Sequence, residues 1–193
     1  MKKKWIIIGS IILVFLLIGL YFNSKDNFRF KFEYEIINRV ELSNGKKIIV
    51  NIPLDNRVKY VKSADELMQL FKEKTGVLYF GYSTCPWCRN ALPVLIDSIL
   101  DNDIDVLYYV DIKAFDFSKK SKEIYEILDE YLKVKDDGEK VLAVPDVYVL
   151  KNGNIVAHHR SCVESYKNPY KGMNEEQIAE LKSIYDSMIK EIK

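Results

Sequence analysis

Residues 77–89 read VLYFGYSTCPWCR, and this stretch determines the architecture of the chain. The run from Val77 to Tyr82 is continuously apolar or aromatic, which is typical of a strand buried on both faces of a sheet. Pro86 suits the first turn of a helix, where its missing N–H removes no hydrogen bond. We therefore predict a buried strand, a short turn and a helix from Pro86 to about Leu100, with a Cys-x-x-C pair at the start of that helix.

The pair Cys85 and Cys88 is the candidate site for chemistry. A Cys-x-x-C motif alone is compatible with half of a zinc site or with a redox pair. At the first turn of a helix, however, Cys85 faces unpaired backbone N–H groups and the positive end of the helix dipole, and both favour the thiolate. The two intervening residues allow Cys88 to curl back within bonding reach of Cys85. This placement favours a nucleophilic thiol and a resolving thiol.

On both sides of this stretch, strand and helix patterns alternate. Further strands are predicted at Val58–Val61, Ile104–Val110, Val147–Leu150 and Ile155–His158, the last two joined by a turn at Asn152–Gly153. Further helices are predicted after the cap residue Ser63, over Ser118–Leu132, and from about Asn174 to the C-terminus. Strands that alternate with helices indicate an α/β fold, with helices on both faces of a central sheet.

Residues 25–57, called the extension below, are predicted to be a stalk that carries a small β structure. Phe28, Phe30 and Phe32 alternate with charged residues, which is a strand period. Asn44–Gly45 separates two apolar segments, which is a hairpin signal. We expect a domain boundary near residue 57, with the α/β domain over residues 58–193.

Residues 1–24 have the pattern of a membrane anchor. Three lysines at positions 2–4 precede an uncharged apolar run from Trp5 to Phe22, of about 18 residues, near the lower limit for a transmembrane helix. The positive-inside rule keeps these lysines in the cytoplasm and places the remainder of the chain outside. We predict a single-pass protein of the cell membrane that contacts the lipid bilayer through residues 5–22. A cleaved signal peptide and a buried core helix are the alternatives.

Composition excludes several classes of protein. The formal net charge is +1 and the basic residues are dispersed, unlike those of a nucleic-acid binder. Three cysteines are too few for a disulfide-stapled fold. Arg89 follows Cys88 where haem attachment requires histidine, and we expect no cofactor and no metal. Cys162 is expected to be buried and inert; a third redox thiol, or a zinc ligand near His158 and His159, is the alternative.

The segment FGYSTCPWCR, residues 80–89, resembles the active site of thioredoxin-like proteins. Within that family it is similar to the membrane-anchored thiol–disulfide oxidoreductases of Gram-positive bacteria, of the bacteriocin accessory or disulfide-isomerising type. Pro93 inside the predicted helix and Val144–Pro145 before the hairpin fit the same resemblance. It implies a thioredoxin-like fold over about residues 58–193.

The resemblance also implies roles for single residues. Cys85 is then the attacking thiol and Cys88 the resolving thiol, and a cis Val144–Pro145 segment binds the substrate backbone. Trp87 is expected beside Cys85, where it helps to hold a substrate chain or simply packs. The implied partners are the thiols and disulfides of exported proteins and a membrane or extracytoplasmic redox partner.

One departure from the family concerns proton transfer. Tyr79 stands about where ordinary thioredoxins carry a buried acid, so the proton acceptor for Cys88 is unidentified and the direction of electron flow is open. The sequence is therefore compatible with two functions. The first is an extracytoplasmic thiol–disulfide oxidoreductase, and the alternative is a binding or chaperone-like module without redox turnover.

Overall fold

The computed structural model describes residues 25–41 and 45–193. The helices are α1 (residues 25–35), α2 (Ala64–Glu73), α3 (Pro86–Asp101), α4 (Ser121–Leu128) and α5 (Glu175–Ile189). The strands are β1 (Val58–Tyr60), β2 (Gly76–Gly81), β3 (Leu107–Asp111), β4 (Lys133–Val134), β5 (Lys140–Val141), β6 (Asp146–Lys151) and β7 (Asn154–Arg160). Short 3-10 turns follow α1, α4 and α5.

A five-stranded mixed sheet forms the centre, in the order β1-β3-β2-β6-β7. The strands β1, β3 and β2 run parallel to one another, and β6 and β7 are antiparallel to their neighbours. The predicted α/β architecture with a central sheet is confirmed. The small β4–β5 hairpin lies apart from this sheet and was not predicted.

The two faces of the sheet bury separate apolar clusters. Because side chains alternate along a strand, Val77 and Tyr79 of β2 face α3 and α5, whereas Leu78 and Phe80 face α2 and α4. Every residue of β2 is buried. The strand that precedes the Cys-x-x-C pair is therefore held from both sides.

Helix α2 begins after the predicted cap residue Ser63, and α5 begins after Asn174. The Ser63 hydroxyl accepts a hydrogen bond from the Glu66 N–H at 3.2 Å, while the Glu66 carboxylate accepts from the Lys62 N–H instead of completing a capping box with Ser63. At the start of α5, Asn174 and Gln177 form a complete capping box. The two helices that these caps begin lie on opposite faces of the sheet, α2 with Leu78 and Phe80 and α5 with Val77 and Tyr79.

The prediction of strands in the extension is wrong. Residues 25–35 are helical, and Phe30 and Tyr34 are buried in the core shared with α3 and α5, whereas Phe28 and Phe32 are exposed. The buried pair fits a helical spacing. The alternating phenylalanines thus belong to two faces of a helix.

The hairpin predicted around Asn44–Gly45 is also not formed as expected. Residues 42–44 lie outside the described residues, and residues 46–50 are not part of a strand. The backbone groups of Val50 bond the Asn38 side chain instead, at 2.7 Å for its C=O and 3.0 Å for its N–H. A side-chain amide thus occupies the groups that a strand partner would need, and the extension packs on the domain.

The predicted membrane anchor at residues 1–24 lies outside the described residues. Among residues 25–41 and 45–193, no helix has both the length and the apolar character needed to cross a bilayer.

Candidate active site

Cys85 occupies the N-cap of α3, as the sequence predicted. Its sulfur accepts a hydrogen bond from the backbone N–H of Cys88 at 3.3 Å. The pKa of Cys85 is lowered, chiefly because the Cys88 thiol donates to its thiolate, and the N–H groups of Cys88 and Trp87 add to the effect, which burial opposes. Pro86 begins the helix and Pro93 lies within it. The first cysteine is therefore the better nucleophile.

Cys88 differs strongly from its neighbour. It is fully buried, whereas Cys85 retains 4% of its surface. Burial raises the pKa of Cys88 well above the ordinary cysteine value, and the negative charge of Cys85 raises it further. Both residues are free thiols. The pair thus combines a thiol whose pKa is lowered with a fully buried thiol whose pKa is raised.

The segment before β6 closes the other side of the site. The Val144–Pro145 peptide bond is cis, as the resemblance implied. The carbonyl oxygen of Val144 lies 3.9 Å from the Cys85 sulfur. Pro145 is buried and its own carbonyl accepts from the Ser161 N–H at 2.7 Å. The structure therefore brings Val144 and Pro145 together with Cys85.

Trp87 is half-buried beside the pair. Its ring packs edge-on against Tyr166, with 5.4 Å between ring centroids. Its carbonyl oxygen lies 3.8 Å from the Cys162 sulfur. Trp87 therefore packs as a structural residue on one side and keeps part of its surface at the site.

Cys162 is buried, as expected, with 5% of its surface exposed. Burial raises its pKa to about 12, and the negative charge of Cys85 contributes. The described residues contain no group of three His, Cys, Asp or Glu side chains placed to hold a metal ion, so the alternative of Cys162 as a zinc ligand has no ligand set among them. His158 instead bonds the buried Asp146 carboxylate at 2.7 Å.

Two residues near Cys85 were missed by the sequence analysis. The Tyr82 hydroxyl can donate to the Cys85 thiolate and helps to lower its pKa. The Lys113 ammonium lies 4.1 Å from the centre of the Tyr82 ring and 3.3 Å from the Thr84 hydroxyl. A cation over the ring face is a favourable contact, and it places positive charge next to the loop that carries Cys85. Nothing in the local sequence links Lys113, which follows β3, to this loop.

Arg89 was also missed as a structural element of the site. Its guanidinium is buried and donates to the carbonyl oxygens of Tyr34 at 2.8 Å, Ile48 at 2.7 Å and Ser83 at 2.9 Å. It also donates to the Asn38 side chain. Ser83 belongs to the loop before Cys85, and the other partners belong to the extension. One side chain thus joins the extension to the active-site loop.

Comparisons with known proteins give similarity to solved structures alone. No protein-family profile matches the chain, and no curated protein matches it significantly. Thioredoxin Mala s 13 of Malassezia sympodialis is 19% identical with a TM-score of 0.39, over 66% of this chain and 90% of that one. Oxidised thioredoxin O2 of Arabidopsis thaliana is 22% identical with a TM-score of 0.42, over 68% and 94%. Oxidised thioredoxin O1 of the same plant is 20% identical with a TM-score of 0.37, over 66% and 97%.

The assignment of a thioredoxin-like fold is carried by the strand order, the Cys-x-x-C pair at the start of α3, and the cis proline that faces it. The fold that the sequence resemblance implied is therefore present.

Proposed function

We propose that this chain is an extracytoplasmic thiol–disulfide oxidoreductase that acts on exported proteins through Cys85 and Cys88. The observation that carries the proposal is the contrast between the two cysteines. Cys85 receives hydrogen bonds that favour its thiolate, and Cys88 is buried behind it with a raised pKa. A binding module without turnover has no need of two thiols that differ in this way.

In the proposed reaction, the Cys85 thiolate attacks one sulfur of a substrate disulfide; the substrate S–S bond breaks, its other sulfur leaves as a thiolate that takes up a proton, and a mixed disulfide with Cys85 remains. Cys88 then loses its proton and attacks the Cys85 sulfur, so that the Cys85–Cys88 disulfide forms, the mixed disulfide breaks, and the second substrate sulfur takes up a proton as the substrate leaves with two thiols. The reverse sequence oxidises a substrate dithiol. The reduction potential of the pair, compared with that of the compartment, decides the direction.

Substrate contact is proposed for Trp87, Val144 and Pro145. The Val144 carbonyl faces the Cys85 sulfur at 3.9 Å, so a chain that presents its disulfide to Cys85 must pass this backbone. Backbone pairing with an extended peptide is largely independent of sequence, which suits an enzyme with several substrates. The half-buried Trp87 ring offers an apolar surface beside the same sulfur.

The proposed location is the cell membrane, with the catalytic domain outside and residues 5–22 in the bilayer. This proposal is supported by the three lysines before an uncharged apolar segment. The proposal includes that the chain is of the same type as the membrane-anchored thiol–disulfide oxidoreductases of Gram-positive bacteria, which its sequence resembles.

Trapping of mixed disulfides tests the roles of the cysteines. In the full-length Cys88→Ser variant, the intermediate has no resolving thiol, so we expect Cys85 to accumulate disulfide-linked exported proteins. The matched Cys85→Ser variant should trap none, because Cys88 is fully buried. Equal trapping by both variants contradicts the assignment. Turnover of a scrambled disulfide-bonded protein separates an enzyme from a silent binding module.

Labelling of intact cells tests the location. After mild reduction, a membrane-impermeant maleimide should modify the wild-type chain at Cys85, and the Cys85→Ser variant provides the background. Modification that requires cell lysis would contradict the extracytoplasmic placement.

A further inference from the structure

The outer face of α1 carries a stripe of exposed apolar side chains. Phe28, Phe32 and Ile36 recur at every fourth position, with 63%, 56% and 43% of their surface exposed. Residues at this spacing share one face of a helix, and this face is opposite the one that buries Phe30 and Tyr34. α1 is therefore apolar on the side that faces solvent as well as on the side that faces the core. A helix that is apolar on opposite sides is normally covered on both.

The three side chains of the stripe form one continuous surface. They line a single open groove of about 450 Å³, and Arg39 lines the same groove. Lys31 and Glu35 form an ion pair along its edge. Single exposed apolar residues are ordinary on a protein surface, but a contiguous apolar surface with polar edges is typical of a contact site.

Exposed apolar residues are concentrated in the extension as a whole. Of the ten large apolar residues that are exposed in the described part of the chain, six belong to the extension: Phe28, Phe32, Ile36, Val40, Ile49 and Leu54. The extension also has seven basic and five acidic residues, whereas residues 58–193 have 19 basic and 23 acidic ones. The extension is thus the more apolar and the more basic side of the molecule, which suits a lipid surface better than the acidic domain does.

The position of α1 in the chain identifies what can cover the stripe. The helix begins at residue 25, and the apolar run that is proposed to lie in the bilayer ends at Phe22. The chain from position 22 to position 25 spans at most about 11 Å even when it is fully extended. α1 itself is about 16 Å long. In the proposed location, the stripe therefore lies within reach of the lipid headgroups without any further component.

We propose that the stripe of Phe28, Phe32 and Ile36 binds the lipid surface, with its side chains at the boundary between the headgroups and the acyl chains. This inference rests on the proposed membrane location and is independent of the redox chemistry of the cysteines. A lipid interface accepts the apolar face of a helix to a depth of about 5–10 Å. Phe30 and Tyr34 attach the other side of α1 to the core, so this contact fixes the orientation of the α/β domain above the bilayer.

Quenching of a tryptophan by brominated lipid tests the contact. The full-length chain carries Trp5→Phe and is reconstituted in vesicles of phosphatidylglycerol and phosphatidylcholine with acyl chains brominated near the headgroup. Trp87 then remains as the one native tryptophan, and the emission of the Trp5→Phe parent is subtracted. In Phe32→Trp we expect brominated lipid to remove about half of the added emission, because the new ring lies at the depth of an interfacial side chain.

Glu33→Trp is the matched control on the same helix. Position 33 is the next residue along the chain, but it lies about 100° around the helix from position 32. The Glu33 carboxylate bonds Arg29 and the Tyr60 hydroxyl and so faces away from the stripe. We expect quenching at position 33 to be at least about threefold weaker than at position 32. Equal quenching at the two positions, or no quenching at position 32, overturns the proposal.

The emission maximum and vesicle flotation distinguish the ways in which the proposal can fail. A tryptophan at position 32 that emits as in an apolar environment but is not quenched is covered by protein, either a second copy or residues 5–22, and the lipid contact is then wrong. A chain that floats with the vesicles without quenching contradicts the contact of α1 alone. A chain that does not float contradicts the contact and the proposed location together. The redox function is tested separately, by mixed-disulfide trapping in Cys88→Ser.

Discussion

Replacement of Arg89 by methionine is expected to destabilise the whole protein. The substitution keeps most of the apolar volume but removes the guanidinium N–H groups that donate to the carbonyl oxygens of Tyr34, Ile48 and Ser83. A buried acceptor left unsatisfied costs about 1–3 kcal/mol. Three such groups, partly relieved by tilting toward water, correspond to a loss of about 3–5 kcal/mol in the free energy of unfolding. That is a large part of the roughly 5–15 kcal/mol typical of a folded domain.

Urea unfolding of the full-length chain in detergent, followed by circular dichroism, measures this loss. Arg29→Met is the matched control, because its side chain is 51% exposed and contacts a neighbouring carboxylate on α1 and the face of the Tyr60 ring, neither of which is a buried carbonyl oxygen. An exposed pair of this kind contributes about 1 kcal/mol or less. Hydrogen exchange in Arg89→Met should also increase first in residues 30–50. A loss below about 1 kcal/mol, or one equal to that of Arg29→Met, would refute the reasoning.

Three further predictions concern single residues. The Cys85 thiolate should persist to lower pH in the folded chain than in the urea-unfolded chain, because folding lowers the pKa of Cys85. The stability that this shift contributes is present above the pKa of the unfolded state and is lost as the pH falls through the pKa of the folded state. Alkylation rates and urea unfolding, each measured against pH, check the two statements. Cys162→Ala should leave turnover within about threefold, because a buried thiol with a raised pKa contributes little thiolate, and a larger loss would indicate a third redox cysteine. Gly153→Ala should destabilise by about 2 kcal/mol or more in thermal unfolding, because its φ is +83° and a Cβ would approach the Lys72 carbonyl carbon to 2.4 Å; a neutral effect would contradict this close approach.

The α/β domain was predictable because its signals are local and agree with one another. The apolar run of β2, the proline at the start of α3 and the turn at Asn152–Gly153 each specify an element without help from distant residues. The extension was mispredicted because two of its three phenylalanines lie on the exposed face of α1. The spacing of the three phenylalanines matches that of a strand, and only the tertiary contacts of Phe30 and Tyr34 favour a helix.

The candidate site likewise has residues that the sequence predicts and residues that it does not. Cys85 and Cys88 were identifiable because their spacing and their position at a helix start carry chemical meaning in the sequence itself. The contact between Tyr34 and Arg89 joins positions that are 55 residues apart, and no local sequence pattern indicates it. In a sequence, an arginine is expected to be a surface charge, because arginine is rarely buried without partners. The partners that allow Arg89 to be buried are backbone carbonyls, which no sequence pattern distinguishes.

The attachment of the extension by Arg89 limits how far the reactive sulfur can travel. A flexible linker as long as residues 25–57 would have a root-mean-square span of roughly 30 Å, and a site on such a linker could search a wide volume. The described part of the extension is instead folded onto the domain, so that span is not available. If residues 5–22 are the membrane anchor, the active site stays at a fixed height above the lipid surface. Its substrates would then be those proteins that bring a disulfide within reach of that height.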